Sequence, residues 1–137
     1  MRIDPDFSLG HQFLGEAYAR EGKQAEAIDE LQKAAALSQR SPIALARLGF
    51  TYALLGQREN ALEVAHELEE KHKLRRADGA FVAVVYAGLR DNDKVFEWLN
   101  KDQTHSLIVA QVVFWWEFQT VHDDPRWTTY MHKVRLR

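Results

Sequence analysis

The chain has 137 residues, 46% of them apolar and 28% charged, the size and balance of one globular domain with a real core. Eighteen Lys and Arg against twenty Asp and Glu leave a net charge of −2, which argues against a protein that lives on phosphate contacts. No cysteine is present, so disulfides, thiolate metal sites and cysteine nucleophiles are excluded.

In chain order, the opening residues Met1 to Asp6 lack the apolar core of a signal peptide. Leu9, Phe13, Leu14, Ala17 and Tyr18 then recur at steps of three and four, the apolar stripe of a helix. Gly22 suits a left-handed cap and a tight turn. A second stripe, Ala27, Ile28, Leu31, Ala34 and Ala35, lies among the good helix formers from Gln24 to Leu37. Ser41-Pro42 supplies an N-cap and a first-turn proline for a third helix carrying Leu45, Leu48, Gly49 and Tyr52. Gly56 turns the chain into a fourth helix that faces inward with Ala61, Leu62, Ala65 and Leu68. The basic run Lys71, Lys73, Arg75 and Arg76 falls where it complements that helix's dipole.

Further on, Leu107 to Phe118 is the longest apolar stretch, broken by Gln111 and Glu117 and too short to span a bilayer. It contains Trp115 and Trp116, flanked by Phe114 and Phe118, the densest aromatic cluster. Exposed, that cluster would be a binding hot spot; buried, it caps the preceding helices. Asp124-Pro125 opens a last helix that would bury Trp127, Tyr130, Met131 and Val134 along one side.

An internal period runs through these elements. Leu14-Gly15-x-x-Tyr18 returns as Leu48-Gly49-x-x-Tyr52 and, weakened, as Val82-Ala83-x-x-Tyr86, with the tyrosines 34 residues apart both times. Gly22, Gly56 and Arg90 keep the same step, as do Ala27, Ala61 and Val95. Glycine inside a helix costs about 1 kcal/mol against alanine. Gly15 and Gly49, with Ala83, therefore point to close approach by a neighbouring helix, and Ala27 and Ala61 read as the matching thin spots.

This pattern resembles the tetratricopeptide repeat, with a Leu-Gly, a Tyr and an Ala in one register. His11, Leu45 and Gly79 replace its leading aromatic, and Gln39 and Lys73 its closing proline, although Pro42 stands three residues later. The tail segments Val84-x-Tyr86-Ala87-Gly88-Leu89, Phe96-Glu97-Trp98-Leu99 and Asp124-Pro125-Arg126-Trp127 resemble the end of tetratricopeptide arrays in bacterial multi-domain regulators. The resemblance implies an all-α fold of antiparallel helix pairs stacked as a right-handed superhelix, with an aromatic-rich helical cap at the C-terminus. Repeats are expected over about 8–41, 42–75 and 76–103, with a capping tail over 104–137. In that register Asp4-Pro5 closes an earlier repeat, so the chain is expected to be the C-terminal piece of a larger protein.

In such arrays the first helix of each pair lines the concave side. That assigns partner binding to Leu9, Gln12, Glu16 and Arg20, to Ile43, Ala46, Phe50 and Leu54, and to Ala80 and Val84, with Trp115 and Trp116 as a second patch. The implied function is a non-catalytic protein–protein interaction module that holds a peptide or helix in this groove. The alternative is a self-associating homodimer whose groove is filled by its own tail. Chaperone-tail capture is not expected, because Gln12, Glu16, Ala46 and Phe50 stand where that branch of the family carries lysines and asparagines.

No catalytic constellation can be assembled. His66 and His72 are six residues apart, on opposite faces of a helix, whereas a zinc-protease helix needs them four apart. Glu69-Glu70 and Asp123-Asp124 are adjacent pairs that splay rather than converge. No cofactor, metal or membrane is implied. Nucleic-acid binding through Lys71, Lys73, Arg75 and Arg76 with Arg135 and Arg137 is a further alternative, opposed by Glu67, Glu69 and Glu70 alongside. The expected compartment is the cytoplasm, a periplasmic setting also being compatible with the lack of cysteine.

Overall fold

Four of the helices open on a side chain that accepts a hydrogen bond from a first-turn amide. The computed structural model of the chain describes residues 5–101 and 116–135. Within them α1 spans Pro5–Arg20, α2 Gln24–Leu37, α3 Pro42–Leu54, α4 Arg58–Lys73, α5 Gly79–Gly88 and α6 Asn92–Leu99. A 3₁₀ turn, Trp116–Val121, and a last helix, α7, Pro125–Arg135, complete the described residues, which contain no strand. Ser41 opens α3 by accepting from the Ala44 amide, with Pro42 in the first turn. Asp78 and Asp91 do the same for α5 and α6, and Asp124 accepts from the Arg126 amide at 2.9 Å to open α7.

The repeated tyrosine marks a repeated helix ending. The amides of Lys23, Gln57 and Asp91 reach back to the carbonyls of Tyr18, Tyr52 and Tyr86 at 2.9, 2.9 and 3.1 Å. These closures need one left-handed residue each. Gly22 (φ 81°) and Gly56 (φ 78°) supply it without strain, while Arg90 (φ 60°) does so in the third copy, at a cost of about 1 kcal/mol.

Close approach between helices follows the small residues, as the sequence implies. A Cβ on Gly15 would lie 2.8 Å from Leu31 Cγ and 3.2 Å from the Ala27 carbonyl oxygen. One on Gly49 would lie 2.8 Å from Val85 and 2.9 Å from Val64. The helices pair as α1 with α2, α3 with α4 and α5 with α6, and α3 also packs on α2 and α5. The core runs from α2 to α6 and takes in Phe118, Val121 and Tyr130 from the C-terminal segment. All ten residues of α5 are buried, an apolar rod enclosed by α3, α4, α6 and the 3₁₀ turn.

The stripe expected on α1 is a correction. Phe13 is 63% and Leu14 42% exposed, and Ala17 is exposed with them, while α1 buries Gln12, Gly15 and Ala19 instead. By the 34-residue step Leu14 and Ala17 correspond to Leu48 and Thr51, which are buried because the first helix pair packs on that side of α3. Among the described residues nothing plays that part for α1. On α7, Tyr130 is buried and Trp127 and Met131 are half-buried; the side chain of Val134 lies outside the described residues.

Candidate functional site

The first helices of the three pairs, α1, α3 and α5, are those expected to line the inner side of the array, and the 3₁₀ turn lies against α5. At three residues per turn, positions three apart eclipse. Phe118 and Val121 therefore share one side of the turn, and both are fully buried. Phe118 stacks on Trp127 at 5.6 Å between ring centroids, and Trp127 meets His122 at 4.7 Å, so α7 clamps the turn from outside. The Thr120 hydroxyl donates to the Ala87 carbonyl at 3.2 Å, which ties the turn to the C-terminal end of α5.

Glu117 carries the turn's charge inward. It is 1% exposed, and its Oε2 lies 3.5 Å from Arg47 Nε on α3. Arg47 is itself 8% exposed and donates through Nη1 to Glu16 Oε2 of α1 at 2.5 Å. Arg20, one turn along α1, pairs with the other oxygen of Glu16 at 3.3 Å. One buried cation thus links α1, α3 and the C-terminal turn. The linkage is imperfect: Glu117 Oε1 is buried and finds no hydrogen-bond partner among the described residues. Burial pushes the Glu117 carboxyl up to about 7, against the opposing pull of Arg47.

The structure distributes the sequence-assigned residues unevenly. Ala46, Phe50, Ala80 and Val84 are in the core, with the Phe50 ring packed where a Cβ on Gly88 would stand. Gln12 is buried and Glu16 half-buried, both on α1, whereas Arg20 and Ile43 are exposed and Leu54 is half-buried. Leu9 lies on α1, but its side chain is outside the described residues, as are Trp115 and the side chain of Trp116. Only the final part of the Leu107–Phe118 stretch falls within the described residues, and it packs against α5.

Arg47 and Glu117 were missed by reasoning from spacing. The signal for Arg47 was legible, since the 34-residue step reads Phe13, Arg47, Phe81: a cation between two aromatics in one register. Glu117 looked like an interruption in an apolar run, and its partner is 70 residues away.

Two other polar groupings lie outside this face. Arg40, just past α2, grips Glu67 of α4 through Nε and Nη2, both at 2.7 Å, and holds that carboxyl below its ordinary range. Beside them is a cleft of about 320 Å³ reaching Gln32, Tyr52 and Glu63. Tyr86 donates to Glu69 at 2.8 Å, and burial with this bond pushes the phenol well above its usual value. Among the described residues no group of three His, Asp or Glu side chains could hold a metal ion. No described helix is long and apolar enough to cross a membrane.

Residues 15–56 match the family model described as TPR repeat, the stretch from Gly15 in the first unit to the turn glycine of the second. No curated protein and no solved structure matches the chain.

Proposed function

We propose that this chain of tetratricopeptide repeats is a non-catalytic protein–protein interaction module, holding a peptide or short helix of another protein on the inner side of α1, α3 and α5. Repeats of this family serve protein–protein interaction generally, and the carrying observation is specific to this chain. The helices α3 and α5 already hold a short helical segment, the turn from Glu117 to Val121, with a buried aromatic and a buried ionic contact. Such anchors are how grooves hold amphipathic segments. The polar rim at Arg20 and the half-buried Leu54 lie on the same register positions of α1 and α3 and remain accessible beside the turn. A scaffold or sensor role inside a larger bacterial regulator rests on the resemblance of the tail.

The test is selection of binding peptides from a displayed library, followed by titration against the chain and its Arg20→Glu, Leu54→Glu double variant. Phe50→Glu is unsuitable, because it would bury an unpaired charge and unfold the protein. Selected peptides should lose at least tenfold in affinity on a double variant that keeps native helicity. Undiminished binding would move the site off the inner side.

A second reading has its own observation. Phe13 and Leu14 are large apolar side chains exposed on α1, whereas their equivalents one repeat later, Arg47 and Leu48, are buried. Self-association through this face predicts, in equilibrium sedimentation, twice the 15.9 kDa chain mass and its loss in Phe13→Glu, Leu14→Glu.

A further inference from the structure

We propose that the cleft between α2, α3 and α4 is a second binding site, independent of the inner side, and that it takes one lysine side chain presented on the surface of a partner protein.

The cleft lies at the joint of the first two repeats. Ala35 of α2, Leu48 of α3 and Val64 of α4 give it an apolar floor, at 1, 3 and 5% exposure. Its volume of about 320 Å³ is at the small end for ligand sites, which run from about 300 to 1,000 Å³. That size suits a single side chain better than a larger ligand.

Charge decides which side chain. Among the described residues of the lining Arg40 is the one cation, and Glu67 holds it through Nε and Nη2 at 2.7 Å each. This fork occupies both oxygens of Glu67 and fixes one wall of the cleft. Glu63 is left over: it makes no ion pair or hydrogen bond among the described residues. Two carboxylates against one guanidinium leave the lining with a net negative charge. An anionic ligand would have to draw Arg40 away from Glu67 and then face both carboxylates. Helix stability does not account for Glu63 either. Glu59, Glu63 and Glu67 follow at steps of four along α4, a spacing at which like charges weaken a helix.

The amides of the rim add acceptors. Gln32 Nε2 donates to the Tyr52 hydroxyl at 2.7 Å, and Asn60 Nδ2 donates to Gln57 Oε1 at 2.8 Å. Each amide spends its nitrogen in this way and keeps a carbonyl oxygen to accept with. Together with the Glu63 carboxylate, the rim offers acceptors on three separate side chains. An ammonium carries three donors that can turn to separate acceptors, whereas a guanidinium is built for one coplanar pair of oxygens. Lysine also has the right body. Its stem lies along apolar surface while its head stays at the water's edge. Buried Leu48 and Val64 match the stem, and exposed Gln32, Asn60 and Glu63 match the head. One ammonium in so small a site binds weakly alone, and repeats of this family serve protein–protein interaction. The lysine is therefore one contact of a partner surface rather than a free amine.

The probe is the capped peptide acetyl-Gly-Lys-Gly-amide, titrated into the isotope-labelled full chain and followed by backbone amide shifts. A matched peptide with norleucine in place of lysine keeps the stem and removes the charge. The lysine peptide should give saturable shifts around the cleft on α2, α3 and α4, with a Kd of about 1–10 mM. The norleucine peptide should bind at least about fivefold more weakly, and Glu63→Gln should weaken the lysine peptide by a similar factor. Glu63 is exposed, so Glu63→Gln should keep native helicity. Glu59→Gln, one turn away and outside the lining, should change the affinity less than about twofold. Absence of saturable shifts at the cleft overturns the proposal, as does equal binding of the two peptides. Equal losses in Glu59→Gln and Glu63→Gln overturn it too, because they mean diffuse attraction to an acidic helix. Butylammonium binding more tightly than the peptide-borne lysine would give the cleft to a free amine and overturn the assignment to a protein partner.

Discussion

Leu14 on α1 and Leu48 on α3 occupy one register position in successive repeats, yet the first is 42% exposed and the second 3%. Ala17 and Thr51 repeat the contrast, and so do Phe13 and Arg47, where the aromatic is in solvent and the cation is enclosed. Residue type at these positions does not explain it: leucine stands at both 14 and 48, and of Phe13 and Arg47 the aromatic is the exposed one. The difference lies in what stands beside them: α3 has the first helix pair on its N-terminal side, and α1 has no equivalent among the described residues. Burial in a stacked array is a property of the neighbour as much as of the residue.

The sharpest way to break this comparison is to truncate the two leucines. Leu48→Ala should lose about 2–5 kcal/mol in urea denaturation, the cost of a core cavity. Leu14→Ala should lose less than about 1 kcal/mol, because much of that side chain is already in water. Equal losses would mean that α1 is covered in solution, and by the same face that the dimer reading uses.

The glycines give a smaller contrast. A methyl at Gly49 meets two β-branched side chains, Val64 and Val85, which are stiff and come from different helices. Gly49→Ala should therefore cost about 1–2 kcal/mol net, overpacking outweighing the gain in helix propensity. At Gly15 the nearest atoms belong chiefly to the single, more flexible Leu31. In the same melts Gly15→Ala should cost less than Gly49→Ala but still destabilise, by up to about 1 kcal/mol, because Leu31 is buried and the Ala27 carbonyl stands close behind it.

Acidity probes the tie between the two pairs and the tail. Glu117 is raised to about 7 by burial, above its unfolded value, so the native state holds a proton that the unfolded chain releases. Its contribution is complete below the ordinary carboxylate range and fades as pH rises through about 7. Raising pH from 5.5 to 8 should lower stability by about 2 kcal/mol, and Glu117→Gln should flatten that dependence. Glu67 has the opposite sign: Arg40 lowers it, so its contribution is present above the ordinary carboxylate range and fades on acidification. Arg40→Ala should be the smallest effect, at most about 1 kcal/mol, because the pair is partly exposed.

Most of the fold was legible because it depends on local rules repeated in register. Gly22 and Gly56 announced the turns, Ser41 and Asp124 the helix starts, and Gly15 and Gly49 the close approaches. Each of these is decided within a few residues or by one neighbouring helix. The inner side was half legible. Spacing put Ala46, Phe50, Ala80 and Val84 on it, but their burial depends on packing between α3 and α5 and on a segment more than thirty residues further along the chain, and no periodicity reports such a contact. Arg47 was passed over because a charge at a core register looks like a surface residue until its carboxylates are found.

The link from Arg47 to Glu117 also sets an order of assembly. Every contact between successive helix pairs spans a few tens of residues, so the repeats can close one after another with modest loop entropy. The Glu117 contact closes a far longer loop and has nowhere to dock until α3 and α5 are in place. While the chain folds, the surface of α3 and α5 that the turn covers should therefore stand exposed until Glu117 to Val121 dock. In refolding, burial of Trp127 should be a late phase that follows the gain of helix.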